Sequence, residues 1–476
     1  MSRPQLTAGG AYVPRLRITS EAFADVWGRH QAGGIASVSV ADADEDALTM
    51  AWEAATRALS AGGYAGHDVA FLAFATSTPP LDEEDLSVRL ASTLGISQHA
   101  RLHYLTGSTR TSTQALTIAL DAGPWTDGVG LVVAADAPFG APDETLGHAG
   151  GAGAGAFVLD AEGGASVVAT GEGHMVGPGE RFRRRGSTKT EGLGITSYDR
   201  DTYRLAIERA IDDLGMPVDE VDAVSVYAPD GKRPYRLTST LGVDGEVIAR
   251  GTTVHQHGDT GAASVPLGMV AALDAGVSSM VAIGYGSGAA ADALLLDVTD
   301  VPIDADIERS TEIDYATYLR RRGHLTSDPP EGGGAYVSLP TWRRGLSQRH
   351  RLIAGACQAC GELAFPPEGA CPSCESQVGF DEVRLTGTGS IEAVTTISAG
   401  GAPPEFEQQQ SRAGDFPIAI VAFDGPEGGQ LSLPMQLVDG DGTPGVGDTV
   451  EAVIRLIYTQ EGVPRYGVKA RRRPDK

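Results

Sequence analysis

Cysteine is scarce in this chain and confined to one short stretch. The 476 residues include four cysteines, all between positions 357 and 374. No thiol is therefore present elsewhere to act as a catalytic nucleophile, and no disulfide framework can join distant parts of the chain. The sequence shows no signal peptide, so we expect a cytoplasmic protein whose thiols stay reduced.

Basic and aromatic residues are also few. Lys and Arg number 37 against 62 Asp and Glu, which gives a formal net charge of −25, and aromatic residues make up 6% of the chain. This acidity repels phosphate and argues against nucleic-acid binding. A dense acidic surface is typical of proteins from a high-salt (halophilic) cytoplasm, although ordinary acidity is an alternative. No apolar run reaches the ~18–20 residues that span a bilayer, so we expect no membrane association.

The cysteines themselves predict a metal site. Cys357 and Cys360 form one C-x-x-C pair, Cys371 and Cys374 form a second, and a Gly/Pro-rich loop separates the pairs. Two such pairs can present four thiolates tetrahedrally to Zn²⁺, with iron as the lesser alternative. Because four protein ligands close the coordination shell, the metal is expected to be structural. The competing interpretations are two disulfides, which the reducing compartment disfavours, and four inert thiols.

Residues 9–325 alternate short apolar strands with amphipathic helices, the pattern of an α/β fold. The pattern occurs twice, in halves of about 1–165 and 166–325, and in each half a Ser/Thr/Gly-rich turn opens a buried helix. We therefore predict a pseudo-duplicated core with ligands bound where the two helix turns converge. The predicted strands are 69–75, 129–135, 221–227 and 280–284, and the predicted helices include 52–61 and 205–214.

The pattern changes after residue 325. A breaker-rich linker is predicted at 326–346, followed by the cysteine ribbon at 347–380. Residues 381–476 then read as short alternating strands bounded by Gly, Pro and Asp turns, which indicates a small β-barrel of the OB type. The predicted strands of the barrel are 390–397, 418–423, 431–438, 449–458 and 465–470.

The first 325 residues contain several motifs whose order along the chain matches that of a known family. This region resembles the archaeal-type 3-hydroxy-3-methylglutaryl-CoA synthases of the thiolase superfamily. The resemblance implies a five-layer thiolase-like fold, an acyltransferase ancestry and a homodimer. The C-terminal part is similar to the DUF35 family, a rubredoxin-like zinc ribbon plus OB-fold that partners thiolase-type enzymes and helps to hold or pass the CoA thioester. The motifs lie at residues 10–18, 42–46, 229–232, 258–264, 285–292 and 313–323.

The resemblance also marks positions where this chain departs from the family. Condensing enzymes of this kind carry the acyl group on a cysteine at the start of the buried helix, polarise the thioester with a histidine and an asparagine, and use a glutamate as acid/base. Matching the motifs puts Thr109 at the cysteine, with Ser108 beside it. Tyr227 falls at the histidine, Asp259 at the asparagine and Thr76 at the glutamate. Thiolate chemistry is thus absent from this region.

Two functions remain open from the sequence. In the first, the thiolase-like part is catalytically degenerate: it binds acyl-CoA and channels it to an active thiolase or synthase partner through the DUF35 module. In the second, the chain is an active acyltransferase whose Thr109 or Ser108 is activated by His255 or His257, since a hydroxyl needs an adjacent base. The competing interpretation of these histidines is turn packing. A nucleic-acid-binding OB protein, the third possibility, is disfavoured by charge.

Candidate CoA contacts come from two segments. Gly286, Ser287 and Gly288 belong to a glycine-rich turn that lets backbone approach a thioester or pantetheine closely, although a plain tight turn is equally compatible. A basic run at 181–185 includes Arg183 and Arg184 and stands out in so acidic a chain. It is expected to meet the CoA phosphates, with a solvated surface turn as the alternative.

Overall fold

A computed structural model describes residues 3–326, 338–398, 400–440 and 442–473. These residues divide into two compact units. The first extends to residue 318 except for 92–94, and the second takes in 92–94 and the residues from 319 onward. None of the helices in the described part of the chain combines the length and the apolar character needed to cross a membrane.

The first unit has strands and helices in alternation. Its strands are β1 (Gln5–Tyr12), β2 (Leu16–Thr19), β3 (Ser37–Val40), β4 (Val69–Ala75), β5 (Arg101–Leu105), β6 (Val129–Asp136), β7 (Gly153–Asp160), β8 (Ala165–His174), β9 (Phe182–Arg183), β10 (Thr190–Glu191), β11 (Ala223–Val226), β12 (Ser279–Gly286), β13 (Ala290–Val298), β14 (Ile303–Asp306) and β15 (Thr311–Glu312). Its helices are α1 (Ser20–Trp27), α2 (Ala47–Gly62), α3 (Ser87–Leu94), α4 (Thr111–Ala122), α5 (Thr145–Ala149), α6 (Thr196–Leu214), α7 (Thr238–Leu241), α8 (Gly245–Arg250), α9 (Val254–His257), α10 (Ser264–Asp274) and α11 (Tyr315–Arg321), the last of which crosses the boundary between the units.

The predicted duplication is visible in the strand order. The first half runs β5-β4-β6-β7-β1 and the second runs β11-β12-β13-β8, so β4, β6, β7 and β1 correspond to β11, β12, β13 and β8. In both halves a parallel pair (β4 with β6, β11 with β12) is followed in the sheet by an antiparallel pair (β6 with β7, β12 with β13). Within the described residues β5 has no counterpart, because the equivalent segment of the second half forms the short helices α8 and α9.

Two buried helices lie at the centre of the first unit. Helix α4 contacts β4, β6 and β12, helix α10 contacts β7, β11 and β12, and the two helices contact each other. Their inward residues are small or apolar, including Ala115, Leu116, Val265 and Leu267, and all are buried. Helix α2 covers β1 and β7 from outside, and α6 covers β8 and β13. This helix–sheet–helix–sheet–helix order is the five-layer thiolase-like fold that the family resemblance implies.

The second unit contains a ribbon and a barrel. Its helices are α12 (Leu339–Arg344), α13 (Leu346–Arg351) and α14 (Glu407–Ala413). Its strands are β16 (Ile353–Cys357), β17 (Leu363–Ala364), β18 (Phe380–Arg384), β19 (Thr388–Ile397), β20 (Phe416–Asp424), β21 (Gln430–Val438), β22 (Thr449–Gln460) and β23 (Val463–Arg472). Strands β16–β18 form one small sheet, and β19-β20-β21-β23-β22 close into a barrel.

The barrel confirms the sequence prediction. All five predicted strands are present, each within a few residues of its expected bounds, and the parallel pairing of β21 with β23 completes a five-stranded closed barrel in OB order. Alternating apolar side chains such as Val421, Phe423 and Ile454 fill its interior. The predicted linker differs from expectation in its C-terminal part, since residues 339–346 are largely helical in α12 and α13. The breaker-rich residues 327–334 lie outside the described residues.

Candidate functional site

Thr109 lies at the start of the central helix α4, where the β5–α4 turn ends. Its side chain is buried, and its Oγ1 donates a hydrogen bond to the backbone carbonyl of Tyr285 at 2.6 Å. Ser108 is half-buried against Gly286, where an added Cβ would stand 2.5 Å from the Ser108 Oγ. The Thr109 proton is thus held by a carbonyl and not by a basic side chain.

Tyr227 and Asp259 meet beyond the end of β11 and at the turn before α10. The Tyr227 hydroxyl lies 3.2 Å from Asp259 Oδ2, and the Arg181 Nη1 contacts both, donating to the Tyr227 hydroxyl at 3.0 Å and forming an ion pair with the Asp259 carboxylate. Asp259 is 1% exposed. Its charge is therefore shielded from solvent and is balanced by Arg181.

We call this group of three residues the Arg181 cluster (Arg181, Tyr227, Asp259), and the surroundings shift the pKa values of its phenol and its guanidinium. Burial raises the pKa of Tyr227 far above its ordinary value, so the phenol stays neutral. Burial alone would lower the pKa of Arg181, but the neighbouring acidic groups, Asp259 foremost and Asp136 with it, together outweigh burial and raise that pKa. The guanidinium Nη2 of Arg181 is buried and makes no hydrogen bond.

Arg181 comes from the segment 175–195, which the β9–β10 hairpin organises. Its neighbour Glu180 is also drawn inward and pairs with Arg233 at 3.2 Å. Burial raises the pKa of Glu180, and the Tyr285 hydroxyl and Arg233 only partly offset that effect. Sequence reasoning placed Arg181 in a basic surface run and did not single out Glu180. The available signal was a basic residue in an acid-rich chain, but it did not say where the side chain points.

Thr76, at the position of the family's glutamate, directly follows strand β4 and is fully buried. Its Oγ1 donates to Asp136 Oδ1 at 2.7 Å. Asp136, at the end of β6, also accepts hydrogen bonds from Ser77, Thr78 and the backbone N–H of Ala262. This carboxylate therefore ties the β4 loop to the start of α10, joining the two halves.

The two candidate histidines have other surroundings. His255 lies 2.8 Å from the Tyr235 hydroxyl and 2.6 Å from the Gly34 carbonyl. His257 is buried, its Nδ1 makes no hydrogen bond, and burial together with the charge of Arg17 lowers its pKa to about 3. Among the described residues, neither histidine lies within hydrogen-bonding distance of Thr109 or Ser108.

The glycine-rich turn faces the segment 175–195. Ser287 Oγ accepts from the Arg181 backbone N–H at 3.3 Å, and the Gly288 carbonyl accepts from Gly177 at 2.7 Å. Gly288 has φ 138°, in a region that favours glycine, and Gly286 leaves no room for a Cβ beside Ser108. The turn thus approaches the Thr109 end of α4 because two of its positions lack side chains.

The two basic candidates for CoA phosphate lie on or beside β9. Arg183 is half-buried, and Arg184 is exposed and pairs with Glu191 at 3.1 Å. The neighbouring Arg181 differs from the expectation for this run, because it is committed to Asp259 in the core. Arg183 and Arg184 therefore remain candidates on the surface, while Arg181 belongs to the interior.

The four cysteines converge as their spacing predicts. Cys357 Sγ lies 3.7 Å from Cys374 Sγ, and Cys360 Sγ lies 3.7 Å from Cys371 Sγ. All four sulfur atoms fall within 4.8 Å of one another. A tetrahedral ion with metal–sulfur bonds of about 2.3 Å separates its ligands by roughly 3.8 Å, so these thiols fit a four-thiolate metal site.

Comparisons with known proteins agree with this architecture. Residues 348–380 match the family described as ChsH2, rubredoxin-like zinc ribbon domain. Hydroxymethylglutaryl-CoA synthase of Aeropyrum pernix is 29% identical over 346 residues, covering 68% of this chain and 96% of the relative. The same enzyme of Archaeoglobus fulgidus is 28% identical over 334 residues, covering 66% and 96%.

Solved structures resemble the same part of the chain. A structure of HMG-CoA synthase complexed with CoA matches with a TM-score of 0.62 at 17% identity, covering 71% of this chain and 94% of the other. A 3-oxoacyl-(acyl carrier protein) synthase III from Pseudomonas aeruginosa matches with a TM-score of 0.56 at 20% identity, covering 63% and 99%. Together these findings confirm the predicted resemblance: a synthase-like thiolase fold with a C-terminal zinc ribbon.

Proposed function

We propose that this chain is a catalytically degenerate relative of HMG-CoA synthase that binds acyl-CoA in its first unit and channels it, through the ribbon and barrel, to an active thiolase-superfamily partner. The observation that carries the proposal is the Arg181 cluster. Where condensing chemistry calls for an imidazole and an amide, the chain has a neutral phenol and a carboxylate neutralised by a buried guanidinium.

The Thr109 hydroxyl supports the same proposal. A threonine attacks a thioester only when a base takes its proton, because its own pKa lies far above 7. The Thr109 proton is donated to the Tyr285 carbonyl, which cannot accept it outright, and the candidate bases His255 and His257 have other surroundings. Thr76 likewise donates to Asp136, so it offers no acid/base function in place of the glutamate.

Acyl-CoA as the ligand is supported by the fold and its relatives. The first unit resembles a synthase solved in complex with CoA, and its glycine-rich turn still brings backbone close to the Thr109 end of α4. The zinc ribbon and barrel supply the second part of the proposal, since a metal with four thiolate ligands has no open position for substrate and acts by holding a small domain folded. We assign that domain a docking role because the DUF35 family that it resembles partners thiolase-type enzymes.

An acylation assay tests the proposal. Purified, metal-loaded protein is incubated with radiolabelled acetyl-CoA, precipitated with acid and analysed by peptide mass mapping; an archaeal HMG-CoA synthase serves as the positive control. We expect acetyl-CoA to bind and no covalent adduct to survive. A stoichiometric adduct on Thr109 or Ser108, lost in Thr109→Ala or Ser108→Ala but kept in the remote control Thr190→Ala, would establish the alternative, an active acyltransferase with a hydroxyl nucleophile.

Co-purification tests the partner. A tagged chain recovered from its native extract is expected to bring down a thiolase-superfamily enzyme that retains its cysteine nucleophile. Adding acetyl-CoA to the recovered complex should then yield product faster than the partner alone at the same concentration. Recovery of the chain as a partner-free homodimer, with no effect on an added thiolase, contradicts the channelling proposal.

A further inference from the structure

One side of the Arg181 guanidinium has no partner. Its Nη1 donates to the Tyr227 hydroxyl at 3.0 Å and forms the ion pair with Asp259. Its Nη2 is buried and makes no hydrogen bond to any residue that the structure describes. A buried N–H that leaves water without finding an acceptor loses free energy, and charged donors lose the most. An oxygen acceptor on a bound molecule would satisfy this donor.

Arg181 lies close to the start of helix α4. Its backbone N–H donates to Ser287 Oγ at 3.3 Å, and Thr109 Oγ1 donates to the Tyr285 carbonyl at 2.6 Å. The Tyr227 ring, whose hydroxyl Arg181 contacts, stacks on the Tyr285 ring with the centroids 6.4 Å apart. Arg181 therefore links the turn before α10 with the residues that contact the start of α4, and the sequence predicts the ligand where these two helix turns converge.

Nη2 is the donor of the Arg181 cluster that a ligand can use. Tyr227 and Asp259 stand where the family resemblance places a histidine and an asparagine that polarise the thioester. The Tyr227 hydroxyl lies 3.2 Å from Asp259 Oδ2 and directs its proton there, and the Asp259 carboxylate has no proton to donate. Of these three groups, the guanidinium remains as the donor to a thioester carbonyl.

Two carboxylates share the turn before α10 with this single guanidinium. Asp259 Oδ1 accepts from the Gly261 backbone N–H at 3.0 Å, and Asp136 Oδ2 accepts from the next backbone N–H, that of Ala262, at 2.6 Å. Asp136 takes its other hydrogen bonds from uncharged groups of residues 76–78, and among the described residues it forms no ion pair. Arg181 thus neutralises one of the two carboxylates.

This charge balance decides which acceptor fits. A ligand carboxylate placed against Nη2 would be the third negative charge beside one guanidinium, and burial makes such an excess of charge costly. A carbonyl oxygen accepts the same N–H without adding charge. The donor and its surroundings therefore favour a neutral acceptor.

We propose, resting on the proposed function, that Arg181 Nη2 donates to the carbonyl oxygen of the bound acyl thioester, and that the site takes uncharged acyl groups and rejects acyl groups that end in a carboxylate. Arg181 is thereby a binding residue that determines specificity. A guanidinium from the segment 175–195 holds the thioester in place of the imidazole and amide of the condensing enzymes.

Calorimetric titration of the metal-loaded full chain with two pairs of ligands tests the proposal. Acetyl-CoA is compared with S-ethyl-CoA, in which a methylene replaces the carbonyl, and pentanoyl-CoA with glutaryl-CoA, in which a carboxylate replaces the terminal methyl. Wild-type protein should bind S-ethyl-CoA and glutaryl-CoA about tenfold or more weakly than their partners, since a hydrogen bond from a charged donor is worth at least that factor in Kd. Both comparisons use the unaltered protein, so they do not depend on the folding of a variant.

Variants assign the effect to Arg181. Arg181→Met/Asp259→Asn removes the donor without leaving an unpaired charge, and it should bind acetyl-CoA and S-ethyl-CoA with about equal affinity. Arg204→Met, which removes an exposed arginine paired with Glu208, is the matched control and should keep the wild-type preference. Circular dichroism melting of each variant verifies folding.

Each contrary result has its own meaning. Equal affinity of wild-type protein for acetyl-CoA and S-ethyl-CoA overturns the inference and leaves water as the partner of Nη2, while the proposed binding of acyl-CoA stands. Glutaryl-CoA bound as tightly as pentanoyl-CoA overturns the selectivity. A double variant that still prefers acetyl-CoA assigns the carbonyl to another donor. If wild-type protein binds none of the four ligands, the proposed function fails and this inference fails with it.

Discussion

Removal of the Arg181 guanidinium is the most direct perturbation of the Arg181 cluster. Arg181→Met keeps the length and apolar stem of the side chain but leaves Asp259, which is 1% exposed, as an unpaired buried carboxylate. Breaking a buried ion pair from one side typically destabilises a protein by about 3–5 kcal/mol, because the remaining charge loses both water and its partner. We expect a loss of that size in the unfolding free energy of the first unit.

The second step of the experiment restores neutrality. In Arg181→Met/Asp259→Asn no charge is left in the core, so the double variant should recover about 2 kcal/mol or more relative to the single variant.

The assay is urea unfolding followed by tryptophan fluorescence in a Trp342→Phe background, which leaves Trp27, Trp52 and Trp125, all in the first unit. Arg204→Met is the matched control, because Arg204 forms an exposed i,i+4 pair with Glu208 and its loss should cost about 0.5 kcal/mol or less. If Arg181→Met costs less than about 1 kcal/mol, or the double variant is no more stable than the single, the ion pair does not hold this core together and the reasoning is refuted.

Two further predictions concern the metal and His257. Chelation of the metal should unfold β16–β18, which a change in Trp342 fluorescence would report, and should leave the urea transition of the first unit unchanged. Protein loaded with cobalt in place of the native metal should show the absorption bands of a tetrahedral thiolate site. Identical unfolding of the apo and metal-loaded proteins would contradict a structural role for the metal. His257, with a folded pKa of about 3 against 6.5 when unfolded, stays neutral while the unfolded chain takes up a proton, so stability should fall as pH drops below 6.5, by about 1.4 kcal/mol at pH 5.5. His257→Gln should remove that slope, exposed His67→Gln should keep it, and a slope unchanged in His257→Gln assigns the titration elsewhere.

The second unit and the metal site were readable from sequence because their information is local. A strand of the barrel can be recognised from apolar and polar residues that alternate over a few positions. Strand β19, at 388–397, was therefore expected at 390–397. Each cysteine pair can be recognised from its spacing of three positions. In the fold, sulfur atoms from the two pairs lie 3.7 Å apart. The halves of the first unit were found because the same local pattern occurs twice.

Other features depended on contacts that no local pattern encodes. Strand β5 was not predicted, and its missing counterpart in the second half follows from how residues 245–257 turn into helices. Thr109, Tyr227 and Asp259 were named by family position, but their partners come from remote segments: Arg181 is 46 residues from Tyr227 and 78 from Asp259. A basic residue in a basic run reads as surface, and only the folded chain turns it inward.

The sequence by itself thus determined which residue types stand at each chemical position: hydroxyls, a phenol and a carboxylate in the first unit, and four thiols in the second. Tertiary structure decided what state those groups are in. Charge and proton affinity are set by burial and by the nearest opposite charge, and both are properties of packing between segments far apart in the chain. Asp259 is an ordinary acid in the sequence and half of a buried ion pair in the fold, because Arg181 is brought to it from 78 residues away.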